Sequence, residues 1–432
     1  MNIRLKNAVI MPKAGAEAFR GEVQIADGKI VYAGKQNDRM YFAAEREKDC
    51  RGNLLVPGFC NAHAHSAMTL FRGIADDLPL REWLFDRIFP LEDCLTEEDV
   101  YWGTMLAAAE YVRGGTTAVA DMYFFHDTAA KALRKSGMAV ALCCGTNDIG
   151  GGDVKEHLKT MESRYHAYEG KERLKYILGL HAEYTCSDAL LEGTADLAAT
   201  LGAPTYIHCS ETLKEVGECS VRRGMTPVEY LHKIGFFDCG GIIAHGTYLE
   251  KTDIELLKEK NVTVASNPSS NLKLASGVAP VYTMLKNGLR VALGTDGAAS
   301  NNALSMFREM YLMSCLQKER MKDAAAVSAE SALSAATEAG YAALGFNGGE
   351  IREGKDADLV LIDLDAPGMR PRADFGKSLV YSADTSAVLM TVAGGHIAYE
   401  EGQYEIGEKI EEIYRNTERC IKRLREAAEK RA

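Results

Sequence analysis

Two histidines, His63 and His65, lie at the end of an apolar run and could bind a metal ion. The run is Leu54–Phe59, and the segment that carries the histidines is Asn61–His65. Side chains two residues apart on an extended strand point to the same face. If the strand ends there, both imidazoles can converge on one ion. A His-x-His pair alone fits a core or surface pair equally well, so the prediction depends on the other histidines.

Further histidines and one aspartate end other predicted strands, where functional side chains collect if the strands form a parallel barrel. They are His181, His208, His245 and Asp296. A single histidine at a strand end would be interpreted as a core residue, but five at such ends favour a common site. The remaining histidines fall in loops or helical stretches and are assigned structural or surface roles: His126, His157, His166, His232 and His396.

Three histidines and one carboxylate suit a catalytic divalent ion that keeps a position open for water. Zinc is the first choice, and iron and manganese stay open. Glu211 follows His208 by three residues, where the chain has just left the strand. A carboxylate there could act as a general acid and base beside the metal. The alternative is a carboxylate that stabilises the start of a helix through its dipole.

Eight apolar runs alternate with helical patterns, which predicts parallel strands covered by helices. The spacing matches a (β/α)8 TIM-like barrel. A doubly wound open sheet is the alternative, but the Gly-x-Gly-x-x-Gly fingerprint is missing after the first strand. The predicted strands are Leu55–Asn61, Thr117–Asp121, Met138–Cys143, Leu174–His181, Pro204–Ser210, Gly241–His245, Val262–Asn267 and Arg290–Asp296.

Short β-like runs occupy both ends of the chain and predict a composite domain. We expect residues 1–56 and 345–407 to form one small β-sandwich and residues 57–344 to form the catalytic barrel, since chain termini often lie close together. Residues 408–432 have helical periodicity and predict a docking helix. Its expected apolar face is Ile410, Ile413, Tyr414, Ile421 and Leu424.

Composition excludes several classes of protein. A net charge of −11 argues against a nucleic-acid partner, because phosphate binding needs clustered Lys and Arg. Eleven cysteines without a Cys-x-x-Cys pair indicate reduced thiols and a cytoplasmic location. No uncharged apolar run approaches the length of a membrane span, so no membrane association is expected. A homo-oligomer is left open.

Longer motifs surround these residues. They are Pro57–His65, Met68–Gly73, Glu82–Leu84, His208–Glu211, Asn267–Leu274, Gly294–Gly297 and Asp296–Asn302. With them the chain resembles the amidohydrolase superfamily over nearly its whole length. Within that superfamily it is similar to the group of triazine hydrolases and methylthioadenosine/S-adenosylhomocysteine deaminases.

The resemblance implies the metal ligands and the proton-transfer residues. Glu211 would carry a proton to a purine ring nitrogen. His245 would orient or deprotonate the attacking water, and Asp296 would also take its proton. The implied ligands of the metal are His63, His65, His208 and Asp296.

The resemblance also implies a nucleoside substrate. His181 would contact it, Glu92 would accept hydrogen bonds from ribose hydroxyls, and Trp83 would pack against the 5′ substituent. From its own sequence context, Glu92 would be a surface acid at the start of a helix. The implied reaction is hydrolytic deamination of methylthioadenosine, 5′-deoxyadenosine, adenosine or S-adenosylhomocysteine.

The region after the third strand departs from the group. Members that accept S-adenosylhomocysteine hold its carboxylate with arginines there, whereas this chain has Lys155 as the only basic residue from Leu142 to Glu156. We therefore expect a preference for an uncharged 5′ group. Competing interpretations are an aminohydrolase or chlorohydrolase acting on guanine, a pterin or a triazine, and an inactive scaffold protein.

Overall fold

A parallel β-barrel forms the centre of the molecule. The computed structural model describes residues 1–37 and 42–430. Eight parallel strands pair in sequence order, from β6 to β13, with helices outside them. The strands of the chain are β1 (Ile3–Ile10), β2 (Phe19–Ala26), β3 (Lys29–Gly34), β4 (Arg46–Asp49), β5 (Leu54–Pro57), β6 (Phe59–Ala64), β7 (Thr116–Met122), β8 (Ala139–Cys143), β9 (Leu174–Ala182), β10 (Thr205–Cys209), β11 (Gly241–His245), β12 (Val262–Ser266), β13 (Arg290–Leu293), β14 (Leu359–Ile362), β15 (Val388–Ala393), β16 (His396–Glu400) and β17 (Gln403–Tyr404).

The barrel closes between its first and last strands by loop contacts. The backbone N–H groups of Thr295 and Asp296 donate to the carbonyl oxygen of His63, at 3.1 and 2.9 Å. The side chain of Asn61 donates to the Thr295 hydroxyl at 2.7 Å, and its oxygen accepts from the Thr295 backbone N–H at 2.9 Å. Small residues such as Ala62 fill the narrow interior, which leaves room for the larger groups at the rim.

The two chain ends join in a second, separate sheet of nine strands. β5 pairs antiparallel with β14, with Leu54 opposite Ile362, and this pairing connects the N-terminal and C-terminal strands. The sheet has its own buried apolar cluster, which includes Ile3 and Leu359. The predicted fold class, a TIM-like barrel with a small β domain from both ends, is confirmed. The predicted domain boundaries at 57 and 344 stay predictions.

One predicted strand is wrong. The run Leu55–Asn61 is two strands, β5 in the outer sheet and β6 in the barrel, divided at Gly58. The backbone changes partners there: Gly58 donates to Asp358 at 2.8 Å, and Phe59 donates to Gly115 at 2.9 Å. A Cβ at Gly58 would lie 1.9 Å from the Thr117 hydroxyl oxygen, so only glycine fits the crossing. Because the whole run is apolar, its sequence does not indicate where the chain passes from the outer sheet to the barrel.

Several helices begin at N-cap residues that are explicit in the sequence, and the predicted helix within residues 408–432 is present as Ile410–Glu429. Thr96 caps Glu97–Arg113 with a capping box to Asp99, and Ser187 caps Asp188–Leu201. The α-helices are α1 (Leu80–Glu82), α2 (Phe89–Glu92), α3 (Glu97–Arg113), α4 (His126–Arg134), α5 (Val154–Tyr168), α6 (Asp188–Leu201), α7 (Leu213–Arg223), α8 (Pro227–Lys233), α9 (Lys251–Glu259), α10 (Pro268–Lys273), α11 (Val281–Lys286), α12 (Ala298–Asn301), α13 (Met306–Met321), α14 (Ala329–Ala335), α15 (Glu338–Leu344), α16 (Phe375–Tyr381) and α17 (Ile410–Glu429).

The C-terminal helix α17 packs against α3, where Arg423 forms an ion pair with the buried carboxylate of Asp99. Ile413 and Leu424 are buried in this contact as expected. Tyr414 is not: it is 49% exposed, and Cys420 is buried instead. The apolar stripe is narrower than the sequence pattern indicated. Within the described ranges, no helix has both the length and the apolar character needed to cross a membrane.

Candidate active site

The predicted metal ligands meet at the carboxyl ends of the barrel strands. His63 lies inside β6, and His65 comes directly after it. His208 lies in β10, and Asp296 lies three residues beyond β13. The Nε2 atom of His65 is 3.1 Å from Asp296 Oδ1 and 3.3 Å from His208 Nε2, and His63 Nε2 is 3.4 Å from Asp296 Oδ1. The potential ligand atoms of His63, His65 and His208 lie within 4.8 Å of one another.

The hydrogen bonds at the outer ring nitrogens fix the tautomers of these histidines. His65 Nδ1 and His208 Nδ1 face the carbonyl oxygens of Met122 and His181, which can only accept, so both Nδ1 atoms carry the proton. The Tyr206 hydroxyl donates to Ala62 O at 2.7 Å and therefore accepts from His63 Nδ1, also at 2.7 Å. All three Nε2 atoms consequently point at one place, and each offers a lone pair there when its imidazole is neutral.

This donor set fits a divalent metal ion. His63 Nε2 is buried and has no hydrogen-bond partner in the described structure, a costly arrangement unless the lone pair is a ligand. Burial lowers the pKa of His63 to about 4, which keeps it neutral. Burial also acts to lower the pKa of His65, but the hydrogen bond and the charge of Asp296 outweigh it. The pKa of His65 is raised to about 9 as a result. A metal binding there must displace that proton.

Two serine hydroxyls hold the carboxylate of Asp296. Ser270 and Ser300 donate to Oδ2 at 2.6 and 2.7 Å, and Oδ1 is left facing the histidines. Burial alone would raise the pKa of Asp296, but the close approach of His63 and His65 holds it well below the usual range. The aspartate is therefore ionised and aimed at the cluster, as a ligand must be.

A buried glutamate, Glu309, supports the two helices that supply these serines. Its Oε2 accepts from the backbone N–H of Ser269 at 3.0 Å, and its Oε1 accepts from Asn301 Nδ2 at 2.8 Å. The same Asn301 amide group donates to the carbonyl oxygen of Thr295 at 2.7 Å. Glu309 thus ties α13 to the start of α10 and to the end of α12, and Asn301 connects it to the loop before Asp296.

Glu211 and His245 face each other across the cavity, with Glu211 Oε2 3.8 Å from His245 Nε2. Asn271 Oδ1 accepts from His245 Nδ1 at 2.8 Å, so Nε2 of that ring is the bare nitrogen. The Ser276 hydroxyl donates to Glu211 Oε1 at 3.0 Å. Glu215 fixes the loop from below by accepting from the backbone N–H of Glu211 at 2.8 Å.

Three polar residues at the strand ends have left-handed backbone conformations. The φ angles of Ser210, His245 and Asp296 are +53°, +72° and +61°. Such conformations cost about 1–3 kcal/mol each in non-glycine residues and persist where the surrounding contacts determine them. They turn the chain sharply off the strand, which brings His245 and Asp296 over the mouth of the barrel.

The predicted substrate residues line the same cavity, which is open to solvent. Trp83 and Glu92 stand on one wall, and His181 stands beside the metal ligands. Tyr123 donates to Glu92 Oε1 at 2.8 Å. Burial raises the pKa of Glu92 to about 7. Eight of the nine predicted site residues line this cavity, and His63 lies just behind it.

The sequence missed the residues that hold the functional groups in place. Nothing in their spacing predicts these contacts, and most of the contacts join distant parts of the chain: Tyr123, Tyr206, Ser270, Asn271, Ser276, Ser300 and Glu309. Lys155 is the only basic residue of the stretch Leu142–Glu156, but a basic residue from outside that stretch lies nearby. Arg164, from the middle of α5, lines a cleft beside the cavity.

An eight-stranded barrel with a His/Asp cluster and a carboxylate over its carboxyl rim defines a metal-dependent hydrolase. The family model described as the amidohydrolase family matches residues 54–398. The chain belongs to the amidohydrolase family, and the predicted resemblance is confirmed.

Curated relatives and a solved structure agree with this assignment. A 5-methylthioadenosine/S-adenosylhomocysteine deaminase of Dictyoglomus thermophilum is 41% identical over 88% of this chain and 89% of its own. A 5′-deoxyadenosine deaminase of Methanosarcina mazei is 41% identical over 98% of this chain and 99% of its own. The crystal structure of an adenosine deaminase from Xanthomonas campestris with bound zinc superposes with a TM-score of 0.93, at 33% identity, over 98% of both chains.

Proposed function

We propose that this protein is a hydrolytic deaminase that converts a 5′-modified adenosine to the inosine analogue and ammonia. One observation carries the proposal: Glu211, His245 and the His/Asp cluster share a cavity with Glu92 and Trp83. The names of the relatives point to the same chemistry. The candidate substrates are methylthioadenosine, 5′-deoxyadenosine, adenosine and S-adenosylhomocysteine, and the predicted location is the cytoplasm.

The ion would be held by His63, His65, His208 and Asp296. We propose zinc, because the adenosine deaminase structure at 33% identity contains it. A divalent ion in such a site supplies a nucleophile from water at neutral pH. The remaining steps are proton transfers and the orientation of the substrate, and the side chains of the protein carry them out.

His245 accepts a proton at its Nε2 atom as the water oxygen bonds to C6 of the adenine ring, and Asp296 is the second acceptor. Asn271 keeps the His245 lone pair on the cavity side. Glu211 donates a proton to the ring nitrogen N1, so that charge does not build up on the ring. The proton removed from the water then passes to the amino group, which leaves as ammonia, and the C6–O bond becomes the carbonyl of the inosine product.

Glu92 would bind the ribose hydroxyls, Trp83 would cover the 5′ substituent, and His181 would contact the base. Burial lowers the pKa of His181 to about 4, so it acts as a neutral hydrogen-bonding group. Tyr123 holds one oxygen of Glu92. The other carboxylate oxygen remains for a substrate hydroxyl.

Ammonia release distinguishes this proposal from the alternatives. With zinc-loaded protein, methylthioadenosine, 5′-deoxyadenosine or adenosine should be deaminated with a kcat/KM of about 10⁴ M⁻¹s⁻¹ or more. Adenine, guanine, a pterin and a chlorotriazine, assayed in parallel, should react at least about a hundredfold more slowly. Turnover of one of those rings, with no nucleoside reacting, would contradict the proposal, and turnover of nothing would favour an inactive scaffold.

The pH dependence of kcat/KM should differ between substrates with and without ribose hydroxyls. Because the pKa of Glu92 is about 7, its carboxylate is ionised above that pH and protonated below it. We expect kcat/KM for a ribonucleoside to fall about tenfold per pH unit below 7, as the ionised form is lost. The measurement is kcat/KM from pH 5.5 to 8.5, divided by the value for 2′,3′-dideoxyadenosine at each pH.

That ratio cancels the titration of every group that acts equally on both substrates. In Glu92→Gln the ratio should be flat, since an amide does not titrate in this range. If the ratio is flat in the unaltered protein as well, Glu92 does not bind the ribose.

A further inference from the structure

The short helix α10 carries hydrogen-bond partners for both proton acceptors of the proposed reaction. Asn271 accepts from Nδ1 of His245 at 2.8 Å. The hydroxyl of Ser270, the preceding residue, donates to Oδ2 of Asp296 at 2.6 Å. From α12, the Ser300 hydroxyl donates to the same Oδ2 at 2.7 Å. The directions of the His245 ring and of the Asp296 carboxylate therefore depend on where α10 and α12 lie.

A fully buried carboxyl group, that of Glu309 on α13, holds both of these short helices. Its Oε2 accepts from the backbone N–H of Ser269 in α10, and its Oε1 accepts from the side-chain amide of Asn301 in α12. Burial raises the pKa of Glu309 to about 7. Burying a carboxyl group costs free energy that an apolar side chain of similar volume would not cost. The contribution of Glu309 therefore lies in its two acceptor oxygens.

Glu309 fixes the start of α10 in place of a local cap. The first N–H groups of a helix have no partner within the helix, and the side chain of Asn267, at the N-cap position, makes no capping hydrogen bond. The acceptor for Ser269, the second residue of α10, is instead Glu309, which lies 40 residues further along the chain. Ser270 and Asn271 directly follow Ser269, so a displacement of this hydrogen bond moves both of them.

We propose that Glu309 is a positioning residue that aligns His245 and Asp296 together, through α10 and α12. The inference rests on the proposed function, in which these two side chains are the proton acceptors. Glu309 does not line the cavity and hydrogen-bonds to neither of them, so it acts only through the two helices. A displacement of about 1 Å at a reacting group can lower the rate by about 100-fold. Because Glu92 and Trp83 lie on other elements, we expect the loss in kcat and not in KM.

The test replaces one acceptor oxygen of Glu309 by a donor. Glu309→Gln keeps the size of the side chain, but its amide has one acceptor oxygen and turns an NH2 group toward either Ser269 or Asn301. With zinc in excess and methylthioadenosine as substrate, kcat should fall by about tenfold to a hundredfold. KM should stay within about threefold. Zinc affinity, measured by titration of metal-free protein, should fall by about 10–100-fold, because Asp296 is held less firmly.

Glu319→Gln is the matched control for this variant. Glu319 lies on the same helix, α13, and its side chain is 75% exposed. We expect normal kcat, KM and zinc affinity from it. If Glu309→Gln does not fold, Glu309→Asp takes its place, since it keeps both acceptor oxygens at a shorter reach. In that variant kcat should again fall by about tenfold, with KM unchanged.

A double variant separates positioning from a general loss of stability. Asn271→Ala releases His245 by itself, so its effect on kcat and that of Glu309→Gln should combine to less than their product. Losses that multiply, or normal kcat and zinc affinity in Glu309→Gln, overturn the inference and leave the proposed function standing. If the unaltered protein deaminates no nucleoside, the proposed function fails and zinc affinity decides the role of Glu309. A loss of affinity in Glu309→Gln but not in Glu319→Gln then supports that role, and no loss overturns it.

Discussion

Glu211→Gln should lower kcat by about 10³-fold and leave metal content unchanged. The amide has the size of the carboxylate but cannot deliver a proton to the ring nitrogen, and general acid–base catalysis contributes about 10²–10⁴-fold. Ser276 and the backbone can still hold the side chain in place. The measurement is steady-state ammonia release, together with metal analysis of the same sample.

Glu218→Gln is the matched control for this variant. It lies on α7, the helix that follows Glu211, and its side chain is 53% exposed. We expect full activity from it. If Glu211→Gln turns over at the normal rate with its metal bound, Glu211 has no part in the proton transfer. If it loses the metal, its role is structural.

The second large effect concerns the metal ligands. His208→Ala should reduce metal affinity by more than about 100-fold, because even residues that only orient a ligand contribute about 10–100-fold. Activity should be lost in parallel. The measurement is a titration of metal-free protein with zinc, followed by an activity assay at each occupancy.

Tyr206→Phe tests the same site with a smaller expected loss of metal affinity. It removes the acceptor that fixes His63 Nδ1, at 2.7 Å, while the ring stays in the core. We expect a loss of metal affinity of about 10–100-fold, with activity recovered at high zinc concentration. His166→Ala is the control, since that histidine lies on the exposed side of α5. Normal zinc affinity in both His208→Ala and Tyr206→Phe would contradict the assignment of the cluster.

The sequence predicted the parts of this protein that have a local signature. Strand-end histidines located the rim, because parallel strands of a barrel all end on one side. Spacing therefore grouped the candidate ligands, and the resemblance implied which of them would hold the metal. Glu92 could not: its position over the cavity depends on a short helical segment whose direction no periodicity encodes, and only the resemblance indicated it.

Other features depend on contacts between distant segments. One apolar run is divided between two sheets at Gly58. A glycine is needed at that position because Thr117 leaves no room for a side chain. Arg164 lies in a helix whose sequence is typical of a solvated surface, and only the packing of α5 beside α4 brings it to the cleft. Tertiary contacts of this kind override local pattern, so the sequence alone does not indicate them.

The closure of the barrel has a consequence for the order in which the site forms. Asn61 and Thr295, whose side chains hydrogen-bond across the seam, are 234 residues apart in the chain. Their neighbours His63 and Asp296 can meet only when the last strand reaches the first. No partly folded form with an open seam has the full set of proposed ligands, so an ion held by that set would bind the closed barrel in preference to earlier forms. By mass action such an ion stabilises only the finished fold. Metal occupancy therefore reports that folding is complete.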